Sequence, residues 1–390
     1  AHWRQVRKTA KNVGQAIHAA MRAIETANPD KLYGIFGDAQ WTNKDRLSDA
    51  MLRDLVERDV DRSREVAVGE RAAVAHVEGQ RGGGVLPPEE RVRQPVNAGA
   101  DQIKVYSDLE KEVYLAIIEE TLLYGMKPVG HVPEAVYIED AARAGQATCE
   151  HMFGFEKMIG RFLGEEVKIQ KGGMASYIHY WMRLPEVDPN LLVLELKKIK
   201  ETGMAVCPTL VVFFGHARAK EILSGTFPFL ETVSPQIRNI WNMLWNPTES
   251  EIDLYQKVSP FMQAFVFELY KAGFPLLVGT DLTTFSIIPG YSLHEEMRLW
   301  QQVGIPPVDV LRSATITPAR FFNRESDLGT IEPGKQASMV LVRGNPLVDI
   351  SHAADIAAVV EREEARIGGR CGVRGGLPLL ERRGHTVAAT

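Results

Sequence analysis

The sequence has little cysteine and no strong charge of one sign. Only three of its 390 residues are cysteines (Cys149, Cys207 and Cys371), without the paired spacing of a disulfide framework or a zinc knuckle. The formal net charge is -5, so no positive field predicts nucleic acid or an anionic membrane as a partner. No apolar run is long enough to span a bilayer, and no signal-like segment is recognisable. We therefore expect a cytoplasmic globular protein that binds neither nucleic acid nor membrane.

Five segments of different character divide the chain. Residues 1–57 have apolar side chains at helical spacing, and residues 58–96 are rich in Arg, Glu and Gly without periodicity. These patterns predict a helical segment followed by a linker or disordered stretch. In residues 97–325, short apolar runs alternate with amphipathic stretches, as parallel β–α units require. Residues 326–360 predict a small antiparallel β element, and the Arg/Gly-rich tail at 361–390 has no pattern.

Polar residues follow four predicted strands of the central segment at the point where each strand ends. They are Lys104 in "GADQIKVY", His131 in "GHV", His151 in "CEHMFG" and Asp281 in "LLVGTD". Each alone has an ordinary explanation, such as a snorkelling lysine, a hydrogen-bonded core histidine or a helix-capping aspartate. In a parallel β/α barrel, however, such positions converge on one mouth. Two imidazoles, a carboxylate and a lysine there predict a site for a divalent ion.

Lys104 lies in the middle of an apolar run, between Ile103 and Val105. A buried lysine loses its hydration and needs a partner, a shifted pKa or a chemical change. The residues themselves leave these three outcomes open.

Residues 97 to about 350 resemble the metal-dependent amidohydrolase superfamily, nearest to its imidazolonepropionase-like and Xaa-Pro dipeptidase-like branch. The resemblance rests on the motifs above, in order, together with "YSLHEEM", "ATITPAR" and "LGTIEPGKQASMVLVRGNPLVDI". It implies an α/β fold with a partial TIM-like (β/α) barrel, comprising strands four to eight. A C-terminal β-sandwich remnant would follow the barrel, and an N-terminal α-helical segment would precede it.

The resemblance also implies roles for the strand-end residues. Lys104 would react with CO2 to give a carbamate that bridges two metal ions, and a lowered lysine pKa would supply the neutral amine. His131 and His151 would bind one metal. Asp281 would bind the other metal and act catalytically by carrying a proton to the leaving amine. The implied cofactor is a divalent metal, with zinc as the default, in one or two sites.

Other polar residues have weaker assignments. Tyr106 is either a substrate contact or a packed aromatic, and the second reading is preferred. His294 and Glu295, in "SLHEEM", are more naturally supports around the site than direct ligands. Cys149 is two positions before His151 and should face the same side of its strand, as a small buried residue.

The sequence departs from the family pattern at its N-terminal side. The family has a His-x-His pair on its first barrel strand, whereas no two of the ten histidines here are two positions apart. Residues 2–56 instead resemble the N-terminal helical part of the DNA adenine methyltransferase subunit of type I restriction systems. The abrupt changes of character suggest a fused, frame-shifted or mis-assembled gene.

The function implied is metal-dependent hydrolysis of a C–N bond in a small amide, dipeptide or cyclic amide. Because the site and barrel are incomplete, we expect weak or absent activity from this chain, and self-association through exposed strand edges. The alternatives are a non-catalytic remnant or binding module, and a fragment of a DNA-modification subunit. Steeply salt-dependent DNA affinity would favour the last.

Overall fold

The computed structural model describes most of the chain after residue 73. The described ranges are 74–77, 87–97, 99–165, 167, 174–244, 247–282, 284–336, 338–361 and 364–367. The predicted N-terminal helical segment at 1–57 lies outside these ranges, as do residues 368–390 of the predicted tail. Both remain predictions.

Short parallel strands form the centre of the fold. β1 (Val74–Val77), β2 (Gln102–Val105) and β3 (Lys127–Gly130) make one parallel sheet in that order. β4 (Thr148–Glu150) pairs in parallel with β5 (Ala205–Cys207). Ile103 and Val105 of β2, Cys149 of β4 and Val206 of β5 are buried, as expected of parallel strands covered on both faces.

Backbone hydrogen bonds join these two sheets into one arc. The amide of Ala147 donates to the carbonyl of Pro128 at 2.7 Å, which links the start of β4 to β3. On the other side of β5, Val206 donates to Pro275 at 3.0 Å and accepts from Leu277 at 2.9 Å. The segment 275–277 therefore continues the parallel order. All carboxyl ends of the arc consequently lie at one edge.

Helices connect and flank the strands, because parallel neighbours need long crossovers. The helices of the first half are α1 (Pro88–Asn97), α2 (Lys111–Leu123), α3 (Ile138–Ala144), α4 (Phe155–Phe162), α5 (Met174–Met182) and α6 (Pro189–Glu201). Those of the second half are α7 (Leu210–Ala217), α8 (Ala219–Leu223), α9 (Pro235–Leu244), α10 (Glu249–Lys271), α11 (Tyr291–Gln302), α12 (Pro307–Ala314) and α13 (Ile316–Phe321). Single 3₁₀ turns cover Leu184–Glu186, Leu230–Thr232 and Ile350–Ala354.

Two apolar cores hold these elements together. In the main core, Ile103 and Val105 of β2 are fully buried, and Phe155 of α4 meets Phe265 of α10 at 5.0 Å between ring centroids. A smaller core is built from α8, α9, the start of α10 and the loop before α11. Trp241 of α9 is at its centre. We call this second group of residues the satellite core.

β1 and most of α1 lie within residues 58–96, which the sequence predicted to be linker or disordered. β1 pairs in parallel with β2, with His76 opposite Lys104 in the register. The chain therefore has a parallel strand before the one predicted to be the fourth of the barrel. The pattern missed β1 because "VAHV" is too short to show a period of its own between Arg- and Gly-rich neighbours. Pairing with β2 stabilises the strand conformation of β1, which the local sequence alone does not specify.

The predicted C-terminal β element is present and longer than expected. β6 (Met339–Val342), β7 (Ile356–Glu361) and β8 (Glu364–Ile367) form an antiparallel sheet in that order. β8 lies in the segment predicted to be a patternless tail. Among the described residues, none of the helices is both apolar enough and long enough to cross a membrane.

Candidate metal centre

Residues at the carboxyl ends of the arc adopt an unusual backbone conformation. His151 (φ 58°), Met152 (φ 61°), Thr209 (φ 50°) and Asp281 (φ 52°) all have positive φ. Residues other than glycine seldom occupy this region, and those that do concentrate at functional sites. Each of these residues follows a strand of the arc within a few positions. The chain turns sharply there, and the side chains of His151, Thr209 and Asp281 meet at this edge.

Lys104 has an acidic partner. Its Nζ lies 2.6 Å from Oε2 of Glu150, with the two side chains 9% and 19% exposed. Nζ also lies 5.3 Å from the ring centroid of Tyr106. The buried lysine of β2 is therefore satisfied by an ion pair across the arc, to the end of β4.

His131 follows β3 and is held on several sides. Its Nδ1 lies 2.8 Å from the hydroxyl of Ser107. Its ring lies 4.7 Å from Tyr106, 4.8 Å from Phe153 and 4.9 Å from His151, between centroids. These contacts fix the plane of the imidazole. With Nδ1 engaged by a hydroxyl, Nε2 is the nitrogen that would bind an ion.

His151 follows β4 and connects to Asp281. Its Nδ1 lies 2.6 Å from the hydroxyl of Thr209, and its Nε2 lies 3.9 Å from Oδ2 of Asp281. Asp281 also accepts a hydrogen bond of 2.8 Å from the hydroxyl of Thr284. The structure thus brings Lys104, His131, His151 and Asp281 to the same edge of the arc.

Three side chains of this group could share one ion. One ligand atom from each of His131, Glu150 and His151 lies within 4.8 Å of the others. Two imidazoles and a carboxylate form a donor set that suits zinc or another first-row divalent metal. The hydroxyls on Nδ1 of both histidines match the hydrogen bonds that orient metal-binding imidazoles elsewhere. The residues present therefore fit a divalent ion.

The electrostatics of the centre differ from the expectation for Lys104. Burial by itself lowers the pKa of Lys104, but the carboxylates of Glu150 and Asp281 outweigh it and hold the pKa above its ordinary value. The expectation of a lowered lysine pKa is therefore wrong for the ion-paired state, because it took no account of Glu150. Burial lowers the pKa of His151, with Asp281 opposing that shift. A neutral imidazole is the form that binds a metal.

The remaining predicted residues lie in different settings. Tyr106 is buried, and its ring lies tilted beside that of His131, so it both packs in the core and borders the centre. His294 and Glu295 lie on α11, where Glu295 pairs with Arg298 at 3.0 Å and with Arg218 at 4.0 Å. Cys149 is fully buried, as expected.

The sequence analysis missed Glu150, Ser107 and Thr209. Strict alternation along β4 favoured Cys149 as the neighbour of His151 on the same side. The positive φ of His151 breaks that alternation, so Glu150 and His151, although consecutive, both reach the centre. The "CEH" motif held a signal, since a glutamate at the end of a buried strand is unusual. Nothing local marks Ser107 or Thr209 as histidine partners.

Comparisons with known proteins agree with this geometry. The model of the amidohydrolase family matches residues 6–366. No curated protein matches the chain. The match runs through residues 6–56, and nothing supports the resemblance of that segment to a DNA methyltransferase subunit.

Solved structures show the same fold. Bottromycin amidohydrolase is 22% identical, with a TM-score of 0.59 over 80% of this chain and 68% of that one. A putative prolidase from Bifidobacterium longum is 19% identical, with a TM-score of 0.52 over 83% and 72%. A Xaa-Pro dipeptidase with bound methionine in its active site is 19% identical, with a TM-score of 0.50 over 80% and 72%. These likenesses identify the fold as a TIM-like barrel. The chain belongs to the amidohydrolase family, whose members are enzymes that act on carbon–nitrogen bonds.

Proposed function

We propose that this protein is a metal-dependent hydrolase of C–N bonds in small amides, dipeptides or cyclic amides. The observation that supports this most directly is the convergence of His131, Glu150 and His151 beside Lys104 and Asp281. The names of the similar structures, an amidohydrolase and a Xaa-Pro dipeptidase, favour an amide or a proline-containing dipeptide as the substrate.

In this proposal, His131 and His151 hold a divalent ion, most naturally zinc. A bound zinc ion would supply a nucleophile from water near neutral pH and polarise the scissile carbonyl. Ser107 and Thr209 keep the two imidazoles in the tautomer and orientation that binding needs. Tyr106 borders the same space and is proposed to contact the substrate.

Lys104 and Glu150 compete for the role of the anionic ligand. As the family resemblance implies, a carbamate on Lys104 would carry a negative charge and take the ligand position. It would then lie against Glu150, 2.6 Å from the present Nζ, and two such anions repel unless a cation lies between them. With Lys104 as a free ammonium, Glu150 itself is the ligand. We propose the carbamate for the loaded enzyme and the ion pair for the metal-free one.

Asp281 is the proposed proton carrier and the ligand to a second ion, where one binds. Its carboxylate is fixed by Thr284 and lies beside His151. With its side chain 30% exposed, it can reach both the centre and an entering substrate. A carboxylate so placed can take a proton from the attacking water and deliver it to the leaving amine. His294 and Glu295 are proposed as supports at the mouth.

The missing His-x-His pair favours one ion over two. Its absence also keeps a second candidate function open, a non-catalytic barrel that binds metal or amide without turnover. We propose weak activity for this chain and a partial barrel of the later strands.

The test is metal binding and hydrolysis by the full chain. Zinc content after dialysis should approach one per chain, and cleavage of N-acyl amino acids or X-proline dipeptides should depend on it. His131→Ala and His151→Ala should each abolish both. His179→Ala is the matched control, because that histidine is exposed on α5. Stoichiometric zinc without any cleavage would favour the non-catalytic reading, and zinc binding that survives both variants would exclude this site.

A further inference from the structure

A cavity of about 380 Å³ opens in the satellite core. Its lining comes from α8, the turn after it, the 3₁₀ turn at 230–232 and α9. None of the metal-centre residues line it. Its volume lies at the small end of the range for sites that bind small molecules.

The cavity has one apolar wall and a more extensive polar side. Ile222, Leu223, Leu230 and Pro235 supply apolar surface, and the ring of Trp241 closes one wall. Trp241 is 1% exposed, and its ring meets Phe285 at 5.9 Å between centroids. The wall is therefore a fixed part of the satellite core.

Two hydrogen-bond donors on the polar side have no partner. Nε of Arg238 and Nε1 of Trp241 are both buried and make no hydrogen bond. The two residues are three positions apart on α9, so they lie on one face of the helix. Buried donors are almost always paired in folded proteins. Two orphan donors on one face, both bordering the same cavity, point to a ligand with acceptor atoms.

The described residues that line the cavity carry no negative charge. The lining residues include no aspartate or glutamate. Two acids are adjacent in sequence to lining residues: Glu231 is exposed and is not part of the lining, and Glu221 is occupied by Arg218, which donates to it from Nε at 2.8 Å and from Nη2 at 2.6 Å. Asn239 and Asn242 add neutral amides to the lining. A cation and N–H donors without a carboxylate favour an anion.

We propose that this cavity binds a small monoanionic carboxylate with an apolar body. The carboxylate would accept from Nε of Arg238 and Nε1 of Trp241, and the body would lie against Ile222, Leu230 and Pro235. A planar carboxylate has two oxygens for two donors, which is the arrangement that arginine recognises best. Water alone could accept hydrogen bonds from the two donors, but it would remain in contact with the apolar lining, which is unfavourable. This inference stands independently of the proposed hydrolase activity.

The test compares two probes that differ in charge and share a carbon skeleton. Binding of 3-phenylpropionate and of 3-phenylpropan-1-ol to the full chain is measured by titration calorimetry, with ligand-observed NMR as a second readout. We expect saturable binding of the acid, with the alcohol about tenfold weaker or more. Arg238→Met and Trp241→Phe should each weaken binding of the acid about tenfold. Trp241→Phe keeps the aromatic wall and removes only the N–H.

The controls separate loss of binding from loss of folding. Arg143→Met makes the same change at an arginine whose side chain is 70% exposed on α3, and it should leave binding unchanged. Circular dichroism melting curves show whether each variant folds. If Arg238→Met does not fold, the affinity of Trp241→Phe for the acid tests the proposal. Equal binding of acid and alcohol, no saturable binding of the acid, or unchanged affinity in folded Arg238→Met or Trp241→Phe would each overturn the proposal.

Discussion

The hydroxyl of Thr209 lies 2.6 Å from Nδ1 of His151, although the two residues are 58 positions apart. This hydrogen bond joins the end of β5 to the end of β4 and sets which nitrogen of the imidazole faces Asp281. Thr209 itself has a positive φ and immediately precedes α7. The orientation of His151 therefore depends on how α7 begins.

Replacing Thr209 by valine should weaken zinc binding without unfolding the protein. Valine keeps the shape of threonine and removes the hydroxyl, so His151 loses the group that orients it. We expect zinc affinity to fall about 10- to 100-fold, as for other partners of metal-binding histidines. Competition with a chromogenic chelator measures this change. Thr315→Val, at an exposed hydroxyl, is the control, and equal zinc affinity in both variants would contradict the role of Thr209.

Glu296 should make the stability of the fold depend on pH. Its fully buried carboxylate accepts from the amide of Val211 at 2.8 Å and from Nε1 of Trp300 at 2.9 Å. Burial raises its pKa to about 7, from an ordinary value of 4.5. Between these values the folded state binds more protons than the unfolded state. The free energy of unfolding should therefore fall as pH rises through this window, on the order of 3 kcal/mol in total.

Glu296→Gln should remove that part of the pH dependence. Urea unfolding of the wild type and the variant at several pH values between 5 and 8 gives the comparison. Burial also raises the pKa of Glu156 to about 7, so Glu156→Gln should remove a second, additive part. The exposed Glu119 provides a control through Glu119→Gln. An unchanged slope in Glu296→Gln would mean that the carboxylate is ionised in the folded protein throughout this range.

The sequence predicted the parts of this site that depend on position along a strand. His131, His151 and Asp281 each follow an apolar run, Lys104 lies near the end of another, and the parallel arrangement of these runs brings their ends to one edge. Local sequence also indicated the antiparallel β element after residue 325. Both results follow from hydrophobic periodicity and from the geometry of β–α units.

Contacts between distant segments could not be predicted in this way. Glu150 reaches Lys104 across the arc, and His151 reaches the same centre because its backbone leaves the strand conformation. Thr209 reaches His151 through a turn that no local pattern marks. β1 exists because β2 is beside it. In each case the deciding interaction is a tertiary contact, which the secondary-structure preferences of single residues do not predict.

The ion pair between Lys104 and Glu150 should matter most when one partner is removed. Glu150→Gln leaves the ammonium of Lys104 buried without its counter-charge, which should lower the free energy of unfolding by about 3–5 kcal/mol. The double variant with Lys104→Met should recover most of this loss, because it buries no charge. Urea unfolding of the metal-free protein measures both. Asp253→Asn, in an exposed pair with Lys257, is the control.

An additive loss in the double variant would contradict this account of the pair. It would mean that each side chain stabilises the fold through other contacts. Recovery in the double variant, combined with loss of zinc binding, would separate the two roles of these residues. The pair would then stabilise the metal-free fold and also supply the anionic ligand.

Gly130 and Gly125 allow the close approach of β3 to β2 to be tested. Gly130 has φ +115°, and a Cβ there would lie 2.9 Å from Cγ of Lys104 and even closer to the carbonyl oxygen of Val105. Gly125 also has positive φ (+69°), but a Cβ there would meet nothing within 4 Å. Gly125→Ala should therefore cost only backbone strain, about 1–2 kcal/mol. Gly130→Ala should cost a further 1–3 kcal/mol from overpacking.

The same substitution should also disturb the metal centre. The added methyl group would displace β2 at Lys104, so Gly130→Ala should weaken zinc binding, whereas Gly125→Ala should not. Urea unfolding and zinc titration of both variants give the two readouts. Equal effects of the two alanines on stability and on zinc would mean that β3 does not approach β2 as closely as the structure has it, and that the lysine is not held in place by this contact.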